Sequence, residues 1–243
     1  MMKSNLIEVF SSIQGEGKYV GCRQLFVRFA GCNLNCQYCD TTFSHNNFEK
    51  CKIEKVAGQR IFEDVANPLT IEELALRINE LTANNHHSIS FTGGEPLLNA
   101  DFLKILLDKV IAPKYIETNG TLPQALKEII DKVNYISMDI KLPSILHKAF
   151  WQEQEEFLKI ANKKEVFVKL VVNDKMTTDE FVKAIDMVKK VNDEITFIMQ
   201  PVTPINNCQG VSPQEMLNYQ TLALTKLKDV RVIPQTHKFI NQM

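Results

Sequence analysis

The sequence predicts an α/β protein built on a parallel sheet, and three observations predict it. Seven short β-rich runs alternate with amphipathic segments along the 243 residues, the order from which parallel strands and right-handed crossovers arise. Several of the amphipathic segments open on readable helix caps. The chemically distinctive residues follow one strand after another, as they do where a parallel sheet gathers ligand-binding groups at its carboxyl edge.

In order, the strand candidates are LFVRFA (25–30), SISFT (88–92), YIET (115–118), YISMDI (135–140), VFVKLVV (166–172), ITFIMQ (195–200) and VRVIPQ (230–235). Helical patterns lie between them near 70–83, 101–111, 122–133, 152–161, 178–191 and 213–227. Thr70 with Glu73 has the spacing of a capping box, Thr177 or Thr178 caps TDEF, and Ser212, Pro213 and Glu215 stand at N-cap, N1 and N3. Seven such strands suit a full or partial barrel and an open doubly wound sheet alike; periodicity does not separate them. We expect one domain over 1–243, with a polar, irregular insertion at 44–68 beside the site.

Composition narrows the function classes. Lys plus Arg total 28 against 29 Asp plus Glu, a net charge of −1. That leaves no basic stripe, so no nucleic-acid partner is expected. Glu8 interrupts the first apolar run too early for a signal peptide, and no apolar stretch nears the ~18 residues of a membrane span. Six cysteines without a secretion signal suit a reducing compartment, so the expected location is cytoplasmic.

Three of those cysteines, Cys32, Cys36 and Cys39, form a C-x3-C-x2-C triplet after the first strand. A structural zinc site needs a fourth ligand; His45 is nearby for it, while Cys22, Cys51 and Cys208 are irregularly spaced. A [4Fe–4S] cluster held by three thiolates instead leaves one iron open, and the amino and carboxylate groups of S-adenosylmethionine form a chelate for it. TGGEP (92–96) follows the second strand, ETNG (117–120) ends the third, MDIK (138–141) the fourth, QPVTP (200–204) follows the sixth and QTHK (235–238) the seventh. Ahead of the first strand, SSIQGEG (11–17) reads as a turn or as a polar lip in which Gln14 and Glu16 offer hydrogen-bonding groups. Arg28 alternates with Val27 and Phe29 and needs a partner if it points inward, either a structural carboxylate or a substrate carboxylate.

The triplet, with Tyr38 just before its last cysteine and GGEP after the next strand, resembles the radical S-adenosylmethionine superfamily. The run from Ile7 to Phe43, with FTGGEP, ETNG, SMDIK and PQTHK further on, resembles the 7-carboxy-7-deazaguanine synthase family of the queuosine pathway. The resemblance implies a partial TIM-like barrel of about six parallel strands. It implies a lyase that rearranges 6-carboxy-5,6,7,8-tetrahydropterin with loss of ammonia, using a [4Fe–4S] cluster, S-adenosylmethionine and Mg2+. It further implies a homodimer, reduced by a donor such as flavodoxin.

By matching positions, Cys32, Cys36 and Cys39 hold the cluster and Thr41 reaches Mg2+. Tyr38, Cys39, Asp40, Gly94, Ser137, Met138, Asp139 and Gln200 hold S-adenosylmethionine. Ile13, Gln14, Gly15, Arg28, Thr92, Glu117 and His237 face the pterin. A cap or turn hydroxyl is the other reading of Thr41, and a strand-end histidine bonded to a backbone carbonyl that of His237. Cys22, Cys51 and Cys208 lack a second C-x2-C grouping, so no auxiliary cluster is expected.

Overall fold

The computed structural model describes residues 2–83 and 85–242. Its strands are β1 (Lys3–Ser4), β2 (Leu6–Ile13), β3 (Arg23–Phe29), β4 (Lys50–Glu54), β5 (Phe62–Ala66), β6 (Leu69–Thr70), β7 (Ser88–Gly93), β8 (Lys114–Thr118), β9 (Tyr135–Ile140), β10 (Glu165–Val172), β11 (Phe197–Pro201) and β12 (Val230–Val232). Its helices are α1 (Ile71–Thr82), α2 (Ala100–Lys109), α3 (Pro123–Ile129), α4 (Pro143–Leu146), α5 (Trp151–Ala161), α6 (Thr178–Val191), α7 (Pro213–Leu224) and α8 (Thr236–Phe239).

One sheet runs β12-β11-β10-β9-β8-β7-β3-β2-β4-β5. Every neighbouring pair from β3 to β12 is parallel. The parallel strands therefore number seven rather than about six, the last being only three residues long. Capping boxes at Thr70, Thr177 and Ser212 start α1, α6 and α7. Helix α1 then buries Ile71, Leu74, Ala75, Ile78 and Leu81, one stripe at helical spacing.

Strand alternation sorts side chains into core and cavity. On β10, Val168, Leu170 and Val172 enter the main core while Lys169 and Val171 face a cavity. On β9, Ile136, Met138 and Ile140 are core and Ser137 and Asp139 face the cavity. On β3, Leu25, Val27 and Phe29 are core while Phe26 and Arg28 face inward. Each large apolar side chain so buried contributes about 1.5–3 kcal/mol, which fixes the register of the polar set on the opposite face.

The array curls into a partial barrel. Its open side is bridged without a strand pair: the segment 14–22 crosses from β2 to the chain after β12, where Thr236 N donates to Gly15 O at 2.8 Å. At the amino ends of the strands, Tyr19 wedges among His87, Tyr115, Tyr135 and Phe167, with ring centroids 4.7–6.1 Å away. Its hydroxyl donates to Glu165.

The segment 44–68 is more regular than expected. Strands β4 and β5 form an antiparallel hairpin, and β4 extends the sheet by pairing parallel to β2. Cys51 and Ile53 alternate into the main core, so this short run borrows its apolar partners from the barrel. That is why its own composition gave no sign of a strand.

Candidate active site

The inward side chains and the loops after the strands enclose a cavity of about 500 Å3. Of the residues matched to the site, Ile13, Gln14, Gly15, Arg28, Cys32, Cys36, Tyr38, Cys39, Asp40 and Thr41 line it, as do Thr92, Gly94, Glu117, Ser137, Asp139, Gln200 and His237. Met138 is the exception. Its side chain is fully buried in the core, packed against Gly120, because Ser137 and Asp139 occupy the other face of β9.

The cysteine loop is seated on the GGEP turn by backbone contact. Gly94 N donates to Phe29 O at 3.1 Å and Glu95 N to Gly31 O at 2.8 Å. Gly93 adopts φ +126°, and a β-carbon on Gly94 would stand 2.0 Å from Gly31 O, so both positions require glycine. Glu95 is fully buried and accepts from Leu97 N, Thr118 Oγ1 and Asn119 N at 2.8–3.0 Å. It ties this turn to the loop after β8. Burial pushes its carboxyl up to about 7 against the pull of those hydrogen bonds.

The three thiols are free and half-buried. Burial pushes Cys32 up to about 11 and raises Cys36 as well, so both are neutral until a metal takes the proton's place. Among the described residues no three His, Cys, Asp or Glu side chains already stand at metal-ligand spacing; a cluster would draw the loop's thiols together. In chemistry and placement the set fits an iron–sulfur group: three reduced thiols on one loop, facing one cavity. Cys208 is buried in a small apolar cluster against which Cys36 and Tyr38 pack, and Cys51 lies in the main core.

Facing the loop is a polar wall. Arg28 Nε pairs with Glu8 at 2.7 Å, so a structural carboxylate does partner it, and both residues line the cavity. Glu117 receives Thr92 Oγ1 at 2.7 Å on one oxygen and Gln14 Nε2 at 2.7 Å on the other. Gln14 is in turn held by Gln24 at 3.0 Å.

Two lysines complete the site, Lys141 buried and Lys169 largely so, and sequence reasoning missed both. Lys141 pairs with Asp139 at 2.9 Å and lies over the Tyr38 ring at 5.1 Å. Lys169 bonds Glu16 and stands 3.6 Å from Asp139. Burial opposes both charges, yet Asp139 and their other acidic neighbours hold the two ammonium groups well above the ordinary lysine range. The signal was available for Lys169, a charged residue within an apolar strand like Arg28. Asp139 Oδ1 and Gln200 Oε1 are buried at the cavity without a hydrogen-bond partner among the described residues, two acceptors suited to donors on a bound cofactor. Gln235 was also missed. It bonds Glu16 and Asp40 from the segment after β12.

Comparison with known proteins agrees with this geometry. The family model described as the radical SAM superfamily matches residues 26–206. The 7-carboxy-7-deazaguanine synthase of Geobacter sulfurreducens is 42% identical over 246 residues, covering 99% of this chain and 98% of that one. Its namesake from Archaeoglobus fulgidus is 37% identical, covering 98% and 99%. The crystal structure of QueE from Escherichia coli shares the fold at TM-score 0.63 and 19% identity, covering 98% of this chain and 96% of that one. Seven parallel strands, a three-cysteine loop seated on GGEP and full-length relatives of one name lead to one conclusion: the chain belongs to the 7-carboxy-7-deazaguanine synthase family of the radical SAM superfamily.

Proposed function

We propose that this enzyme converts 6-carboxy-5,6,7,8-tetrahydropterin to 7-carboxy-7-deazaguanine with loss of ammonia, in queuosine biosynthesis. The observation that carries the substrate assignment is the wall opposite the cysteines, where a guanidinium and a carboxylate stand in one cavity of about 500 Å3. The [4Fe–4S] cluster with S-adenosylmethionine supplies a 5′-deoxyadenosyl radical when bound. Cys32, Cys36 and Cys39 would hold the cluster, with Asp139 and Gln200 offering unpartnered acceptors toward the adenosylated cofactor.

The chain's own residues bind and orient the pterin. Arg28 spends Nε on Glu8, and its terminal nitrogens make no other hydrogen bond among the described residues; they offer a fork to the substrate carboxylate. The Glu117 oxygens, each already fixed by one donor, keep lone pairs for the guanidine-like edge of the pterin. Thr41 donates to Asp40 Oδ1 at 3.1 Å, placing hydroxyl and carboxylate oxygens together at the cavity, a donor set that suits Mg2+. Homodimerisation and reduction by a flavodoxin-like donor complete the proposal on the strength of the sequence resemblance. No helix of the described residues is long and apolar enough to cross a membrane.

The test is anaerobic incubation of reconstituted protein with the pterin, S-adenosylmethionine and a reductant, with product identified by mass spectrometry. The expected product is 7-carboxy-7-deazaguanine; its absence from protein with an intact cluster would refute the assignment.

A further inference from the structure

Gln235, immediately ahead of α8, fastens three walls of the cavity that come from separate loops. Its amide nitrogen donates to Glu16 Oε1 at 2.7 Å and to Asp40 Oδ2 at 3.1 Å. Its amide oxygen accepts from Thr203 Oγ1 at 2.6 Å. The orientation follows from chemistry: ionised carboxylates only accept, so both N–H groups face them, and the oxygen is left for a hydroxyl that can donate.

The partners come from separate elements. Glu16 lies on the lip that bridges the open side of the barrel, Asp40 directly follows Cys39, and Thr203 follows β11. Neighbouring contacts hold the same seam. Thr236 N and Oγ1 both bond Gly15 O, at 2.8 and 3.1 Å, and the place a β-carbon would take on Gly15 is 2.3 Å from His237 Nδ1.

The charges explain why an amide stands here. Glu16 and Asp40 are like charges on facing walls; Lys169 compensates the first, and Lys238 the second at 3.3 Å. A neutral group with two donors bridges them without adding charge. A third carboxylate would repel both, and an apolar side chain would leave them unbridged.

We propose that Gln235 is a positioning residue of this enzyme: its amide latches the lip and the Asp40 end of the cysteine loop to the chain after β12, holding Gln14, Gly15 and His237 in place over bound substrate. The proposal rests on the synthase reading above. It predicts that the latch governs substrate capture more than turnover at saturation, because loosening the lip costs ordering of the wall while the cysteine loop keeps its own backbone seat on the GGEP turn.

The test uses the full-length, anaerobically reconstituted enzyme, with Gln235→Met as the nearly isosteric variant and Gln235→Glu as the charged one. For Gln235→Met, KM for the pterin should rise about tenfold while kcat stays within about threefold. Amide hydrogen exchange should quicken about tenfold in segments 12–22 and 236–242 and stay unchanged in α5 and α6. Gln235→Glu should exceed it in both. Thr203→Val, which frees the amide oxygen, should act in the same direction more weakly and add nothing to Gln235→Met. An unchanged KM with unchanged exchange overturns the latch, and so does exchange that quickens equally in α5 and α6. If the wild-type enzyme makes no product from the pterin, the synthase reading fails, and the exchange comparison alone decides the latch: confined acceleration supports it, and none overturns it.

Discussion

Gly94 and Gly31 approach so closely that a β-carbon on Gly94 would lie 2.0 Å from the Gly31 carbonyl oxygen. The obstacle is backbone, so it cannot rotate away. Gly94→Ala should therefore separate the GGEP turn from the cysteine loop and cost about 3 kcal/mol, the upper end for overpacking. Iron bound after reconstitution should fall with it. Thermal unfolding and iron analysis check the pair; full iron content in a variant of wild-type stability would contradict the seating of one loop on the other.

Arg28 offers a second test, because its Nε is committed to Glu8 at 2.7 Å. Arg28→Ala should raise KM for the pterin by an amount equivalent to roughly 1.5–3 kcal/mol, the worth of a charge-assisted hydrogen bond. It also leaves Glu8 without its partner, so Glu8→Gln serves as the control. If steady-state kinetics give the same KM for Arg28→Ala as for wild type, the carboxylate is recognised elsewhere.

The pH dependence of stability should report on Glu95. Burial raises its carboxyl from the ordinary 4.5 to about 7, so the folded protein keeps a proton that the unfolded chain has already released. Stability contributed by this group is then full at low pH and is lost as pH rises from about 4.5 to about 7. At about 1.4 kcal/mol per pH unit, the loss approaches 3 kcal/mol. Glu95→Gln carries no such titration, so its denaturant-derived stability should gain on wild type by that amount across the window. Parallel curves for the two proteins would mean that Glu95 stays ionised throughout.

Magnesium dependence tests Thr41, whose hydroxyl meets the cavity beside Asp40. Thr41→Ala should shift the Mg2+ activation curve to higher concentration, by about tenfold for one lost oxygen ligand of a hard cation. Coinciding titrations for variant and wild type would remove Thr41 from the metal's surroundings.

Much of this architecture was legible in the residues, and the exceptions have physical causes. VFVKLVV and YISMDI announce strands because β-branched and aromatic residues suit a pleated, buried ladder, and the Thr70–Glu73 and Ser212–Glu215 boxes mark helix starts by local hydrogen bonding. The β4–β5 hairpin leaves little signal because its apolar residues are few and find their partners across the sheet, whereas β2 carries Leu6, Ile7, Val9, Phe10 and Ile13 in a pattern that Glu8 and two serines interrupt. Met138 belongs to the matched motif, but its strand's alternation sets its side chain in the core and Ser137 and Asp139 on the cavity face. The Arg28–Glu8 and Lys169–Asp139 pairs join residues 20 and 30 positions apart; such partnerships belong to tertiary structure and leave no local trace.

The aromatic stopper around Tyr19 fills the amino end of the barrel with rings. With rings filling that end, the cavity is lined by the lip and the loops after the strands at the opposite edge, the side from which reactant and 7-deazapurine product have access.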